Sequence, residues 1–185
     1  PQVIVSVWSG TTRDGHGQHQ ASGILAREAF DVAADPERFN DLPREAGLPW
    51  RADKFYQSVR RNPEPPSVTV PIGKFDPLLG RSYLQLAMES RSQHRSQAMG
   101  SYQPLGPRVS GLRLVKSHVH EPTDDNGMFA GIDTTLIGLT AGLPKKTSIP
   151  IQKHLTDYRA AVHKATESLD ALRPERVAEP LALAY

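Results

Sequence analysis

Asp14, His16 and His19 stand close together in the run Asp14-Gly15-His16-Gly17-Gln18-His19. Two histidines three apart, where a loop passes into a helix, can turn their rings to one side. Imidazole nitrogen is a common zinc ligand, and glycines at 15 and 17 let the backbone come close to a ligand. A catalytic zinc centre takes three protein ligands and an open position for water. The pair is therefore at most part of such a centre; the plain alternative is a solvated polar loop. Five further histidines occur: His94, His118, His120, His154 and His163. The segment His118-Val119-His120-Glu121-Pro122-Thr123-Asp124-Asp125 sets an H-x-H pair and carboxylates after a strand. It either completes a site with His16 and His19 or forms an exposed turn. Cysteine is absent, which excludes thiolate metal sites and disulfides.

The flanking sequence supplies elements to position the pair. Val3 to Trp8 is an apolar, β-branched run that suits a parallel strand covered on both faces. Ser9 to Gly17 is a polar, glycine-containing loop. A helix is expected from Gln18 to Ala34, with Leu25, Ala29 and Val32 at helical spacing and Asp35-Pro36 as its stop. In open α/β sheets, loops at the carboxyl ends of strands form the ligand crevice. Beyond a turn-rich stretch, Lys54 to Val59 reads as a strand. Asn62 to Pro66 breaks it, and Ser67 to Ile72, with Pro71, reads as an edge strand. Asp76-Pro77 is expected to open a helix running to Met99, closed by Gly100. Leu112 to Val119 alternates as a half-buried strand. Asn126 to Leu143 gives only a weak pattern. Ile151 to Leu172 carries the stripe Leu155, Tyr158, Val162, Ala165 and Leu169 of an amphipathic helix; His154 and His163 fall on it as surface residues. Pro144 and Pro150 set that helix apart. The expected division is thus an α/β portion at 1–143 and a linker with a helix at 144–185, the latter read as the start of a further helical domain. No internal repeat is visible.

At the histidine loop the sequence resembles the LmbE/PIG-L family of zinc-dependent N-deacetylases. Gly15-His16-Gly17-Gln18-His19 matches the family's late H-x-x-H motif, and Gly15 to Gly23 is similar to a branch of larger bacterial members. So are Gly47-Leu48-Pro49-Trp50 with Lys54-Phe55-Tyr56, Asp76 to Tyr83, His94-Arg95-Ser96-Gln97, and Phe129 to Thr134. The ordered set covers about residues 1 to 140. The resemblance implies an α/β fold with a Rossmann-like, mostly parallel sheet flanked by helices, of which this chain holds the later part. It implies His19 as a zinc ligand and His16 as the general acid or stabiliser of the charged intermediate. Asp14 falls where some members have a residue near the substrate, either bonding a sugar hydroxyl or steadying His16. The implied reaction removes an acetyl group from an N-acetylated sugar of the N-acetylglucosamine kind. The family's early A-H-P-D-D-E motif, with the remaining metal ligands and the general base, does not occur in these residues. Gln18 stands where many members have an aspartate that orients the catalytic histidine. His94 is weighed as a structural residue on a helix rather than part of the crevice.

The opening Pro1-Gln2-Val3 runs straight into a strand, as in a processed or cleaved chain whose front half lies elsewhere. A complete site would then form with an N-terminal fragment as partner. Resemblance to the larger bacterial branch points to an exported protein. The chain's 185 residues suffice for one domain with a core, and 23% charged residues is ordinary composition. A net charge of +2 without a basic, aromatic-bearing stripe speaks against nucleic acid, and no run nears the ~20 apolar residues of a membrane span. The competing expectation is a non-catalytic carbohydrate-binding or structural piece of α/β fold.

Overall fold

The computed structural model describes residues 1–39, 41, 49–60, 64–120, 127–141 and 143–185. These fall into two compact units, 1–132 and 133–185.

In the first unit, β1 (Val3–Ser6), β2 (Lys54–Ser58), β6 (Ser110–Ser117) and β3 (Val68–Val70) form one sheet in the order β1-β2-β6-β3. β1 and β2 are parallel, joined through helix α1 (Gly17–Val32) as a crossover connection requires. β2 is the buried centre: Lys54, Phe55, Tyr56 and Gln57 are all inside. α1 packs on the sheet through Phe30, whose ring lies 5.8 Å from that of Phe55, with Ala26, Ile4, Ala52 and Val115 around them. Burying a phenylalanine side chain stabilises by about 1.5–3 kcal/mol, so Phe30 is the main anchor holding the helix that carries the histidines.

The pairing differs from the mostly parallel expectation. β6 runs antiparallel to β2 and β3 antiparallel to β6, which makes the sheet mixed, with one parallel pair. The alternation of Leu112 to Val119 is the signature of antiparallel strands with one face half solvated. Pro66 and Pro71 flank β3 (Val68–Val70) at the outer edge, where prolines cost no ladder hydrogen bond.

The helix expected over Asp76–Met99 is shorter. Phe75–Asp76 (β4) and Arg81–Ser82 (β5) pair as a small ribbon, and α2 spans only Tyr83–Arg91. Asp76 ends the expected helix before it starts: its Oδ1 accepts the main-chain N–H groups of Leu78 (2.9 Å) and Leu79 (3.1 Å), a side-chain turn that competes with helix. Ser82 then caps α2, accepting from Gln85 N while Gln85 Oε1 takes Ser82 N.

In the second unit, α3 runs Lys145–Glu167, with Pro150 inside it rather than before it. Pro150 is the sixth residue of the helix, just past the four N–H groups that a helix start leaves unpaired, and it removes the bond to the Lys146 carbonyl. α3 packs against α4 (Ala178–Ala184), burying Ala161 and Ala165, and Gln152 Nε2 donates to Thr140 Oγ1 at 2.8 Å. Gly47, Leu48, Asn62, Pro63 and Glu121 to Asn126, used in the sequence reading, lie outside the described residues.

Candidate functional site

The loop that carries the histidines is organised around a carboxylate. Asp14 is only 2% exposed. Its Oδ1 accepts Ser9 N at 3.1 Å, and its Oδ2 accepts Gly10 N at 2.7 Å and Thr11 N at 3.3 Å. Burial works to raise the Asp14 pKa, but the N–H groups of Ser9, Gly10 and Thr11 and the Ser9 hydroxyl outweigh it and hold the carboxyl below its ordinary value. The resemblance sets Asp14 either to bond a sugar hydroxyl or to steady His16. In the fold, its two oxygens bind the turn that leads out of β1.

That turn is pressed against α1. A Cβ built on Gly23 would lie 2.2 Å from Gly10 N and 2.8 Å from Gly10 Cα, so helix and loop touch backbone to backbone. Gly10 itself takes φ +79°, a conformation glycine adopts without strain.

His16 occupies the position just before α1, and His19 lies one turn in. The His19 ring stacks on Trp8, with centroids 3.5 Å apart and planes at 14°, and meets the His16 ring at 3.8 Å and 30°. His19 Nδ1 is 3.1 Å from the Asp14 carbonyl oxygen. A carbonyl only accepts, so Nδ1 carries the proton and Nε2 keeps its lone pair. Metal-binding histidines are typically held this way, with one ring nitrogen tied to a carbonyl and the other left to coordinate. His19 is half-buried, whereas His16 and Gln18 are exposed. Gln20 Nε2 completes the turn by donating to the Gly15 carbonyl at 2.7 Å.

Trp8 is itself fixed by the sheet. Its carbonyl accepts Ser6 Oγ at 2.8 Å and Gln57 Nε2 at 3.1 Å, and Gln57 Oε1 accepts Arg113 Nη2 at 2.9 Å. Arg113 also pairs with Glu64. Ser6, Gln57 and Arg113 lie side by side across β1, β2 and β6, at the carboxyl end of β1. A cleft of about 310 Å³ opens there, walled by Ser9, Arg13, Arg27, Gln57 and Arg113 among others. The sequence marks Trp8, Gln57, Arg27 and Arg113 only through local pattern: Gln57 follows Phe55-Tyr56 in β2, and Arg113 stands between Leu112 and Leu114 in β6.

Within the first unit, His118 does not join the pair. His118 follows β6 at the opposite end of the sheet: its N–H donates to Asp53 O at 2.8 Å, beside the start of β2. Its Nδ1 bonds the Ala52 carbonyl at 2.9 Å and its ring stacks on Phe30 at 4.7 Å. An antiparallel β6 carries its last residues away from the carboxyl end of β1, so His118 cannot complete a site there. His94 is exposed beyond α2, and His154 and His163 are exposed on α3, His163 beside Glu167 at 3.4 Å. Among the described residues, no three His, Asp or Glu side chains converge to hold a metal ion.

No family model, no curated protein and no solved structure matches the chain. His19 suits a cation as a single ligand, because its Nε2 has no hydrogen-bond partner among the described residues and its ring is held by Trp8 and His16; the remaining ligands would have to come from outside the described residues.

Proposed function

We propose that this chain is the later part of a metal-dependent N-deacetylase resembling the LmbE/PIG-L family, acting on an N-acetylated sugar. The observation that carries the reading is His19: Nδ1 tied to the Asp14 carbonyl, ring stacked on Trp8, Nε2 left to coordinate, at the carboxyl end of a parallel strand. A second feature agrees with it. β1 ends the sheet among the described strands; its outer main-chain edge is where further parallel strands of a Rossmann-like sheet would pair.

In this reading His19 gives one ligand to a zinc ion shared with an N-terminal fragment. Zinc, when bound, lowers the pKa of a coordinated water and polarises the amide carbonyl. His16, exposed and in ring contact with His19, donates a proton from a ring nitrogen to the departing amine. Asp14 acts through the loop, holding the backbone that orients both rings. The competing reading, a non-catalytic carbohydrate-binding or structural piece, is favoured by the lack of three converging ligands among the described residues.

The two readings separate in an assay of N-acetylglucosamine hydrolysis with stoichiometric zinc. The 185 residues alone should be inactive. A longer polypeptide that also supplies an H-P-D-D segment should be active, and His16→Ala should lower its rate by about 10²–10⁴-fold, the usual contribution of a general acid. Hydrolysis by the isolated chain, or a longer polypeptide with no activity, would remove the shared-site reading.

A further inference from the structure

The cleft beside the histidine pair has its own chemistry. Of its charged walls, the Asp14 carboxylate is turned into the N–H groups of the loop, and Glu64 pairs with Arg113. Arg13 and Arg27 are both exposed and form no ion pair among the described residues. Arg27 is one helical turn beyond Gly23, the residue seated on Gly10, so it reaches over the same loop. The Arg113 Nε is buried without a hydrogen-bond partner among the described residues. A polar cleft of about 310 Å³ thus gathers three guanidinium groups whose acidic neighbours are already engaged. Guanidinium forks match the planar oxygens of carboxylate and phosphate and bind them bidentately.

We propose that this cleft binds an oxyanionic group, carboxylate or phosphate, with Arg13 and Arg27 as its direct ligands and Arg113 as a cation fixed behind them. That the anion is a substituent of the sugar whose acetamido group faces His19 rests on the deacetylase reading; binding of the anion itself does not.

Calorimetric titration at constant ionic strength tests this, with inorganic phosphate, N-acetylglucosamine 6-phosphate and N-acetylglucosamine as probes. Phosphate should bind saturably, and Arg13→Gln with Arg27→Gln should weaken it at least about tenfold, the loss of one good charge-assisted contact. His19→Ala should leave phosphate binding unchanged. Tighter binding of the sugar phosphate than of inorganic phosphate places the anion on the substrate; equal binding assigns the cleft to a free anion. No saturable phosphate binding, unchanged binding in the folded double variant, or loss of binding in His19→Ala would overturn the proposal. Absent hydrolysis by the longer polypeptide, with phosphate binding intact, would count against the deacetylase reading alone.

Discussion

Gly23→Ala should destabilise the chain, although alanine is the better helix former. The substitution gains about 1 kcal/mol in a helix interior. Here the new methyl would meet Gly10 N at 2.2 Å and the Ser9 carbonyl carbon at 2.8 Å. These are backbone atoms and cannot rotate aside, so α1 must lift from the loop. Overpacking of this kind costs about 3 kcal/mol, and the net loss should be about 2 kcal/mol. Urea unfolding measures it, and Trp8 fluorescence reports whether the stack on His19 survives. A Gly23→Ala chain as stable as the parent, or more so, would mean that helix and loop are not in contact.

Asp14→Asn should be comparably damaging and should also change the response to pH. The aspartate accepts three main-chain N–H groups with both oxygens. An asparagine turns an NH₂ toward at least one of those donors. Hydrogen bonds to a charged group are worth about 1.5–3 kcal/mol each, so a loss of about 3 kcal/mol is expected even if one bond survives. Because the folded-state pKa is lowered, the stabilisation is complete above the ordinary aspartate range. It is lost only as pH falls below that range, through the folded value. Urea midpoints of the parent should therefore fall in strong acid along a limb that Asp14→Asn lacks. Parallel pH profiles would show that the carboxylate does not hold the loop.

The part of the fold that positions the histidines was legible because each level of the sequence agreed there. Val3 to Trp8 is apolar but for Ser6, the loop is glycine-rich, and Leu25, Ala29 and Val32 keep helical spacing, so β1 and α1 formed near the expected places, although the helix packs through Phe30 and Ala26 rather than Leu25. Asp76 shows where pattern reading stopped short. The helix expected to open at Asp76-Pro77 starts instead at Tyr83, because the Asp76 side chain closes a turn on Leu78 and Leu79. Pro150 misled the reading for the opposite reason, since a proline near a helix start costs a single bond. The alternation of Leu112 to Val119 already pointed to an antiparallel β6; the mostly parallel expectation came from the resemblance and ran against it. The cleft was hidden because Gln57 and Arg113 are distant in sequence and meet only through strand register.

The histidine pair was visible in the sequence, but its geometry was not. The most direct test is nitrogen-15 NMR of the histidine rings as zinc is added to the folded chain. The neutral His19 ring should carry its proton on Nδ1, and zinc should shift His19 Nε2 before any nitrogen of His94, His118, His154 or His163. If His19 instead carries its proton on Nε2, or if zinc reaches the surface histidines first and leaves His19 unmoved, it is not a metal ligand.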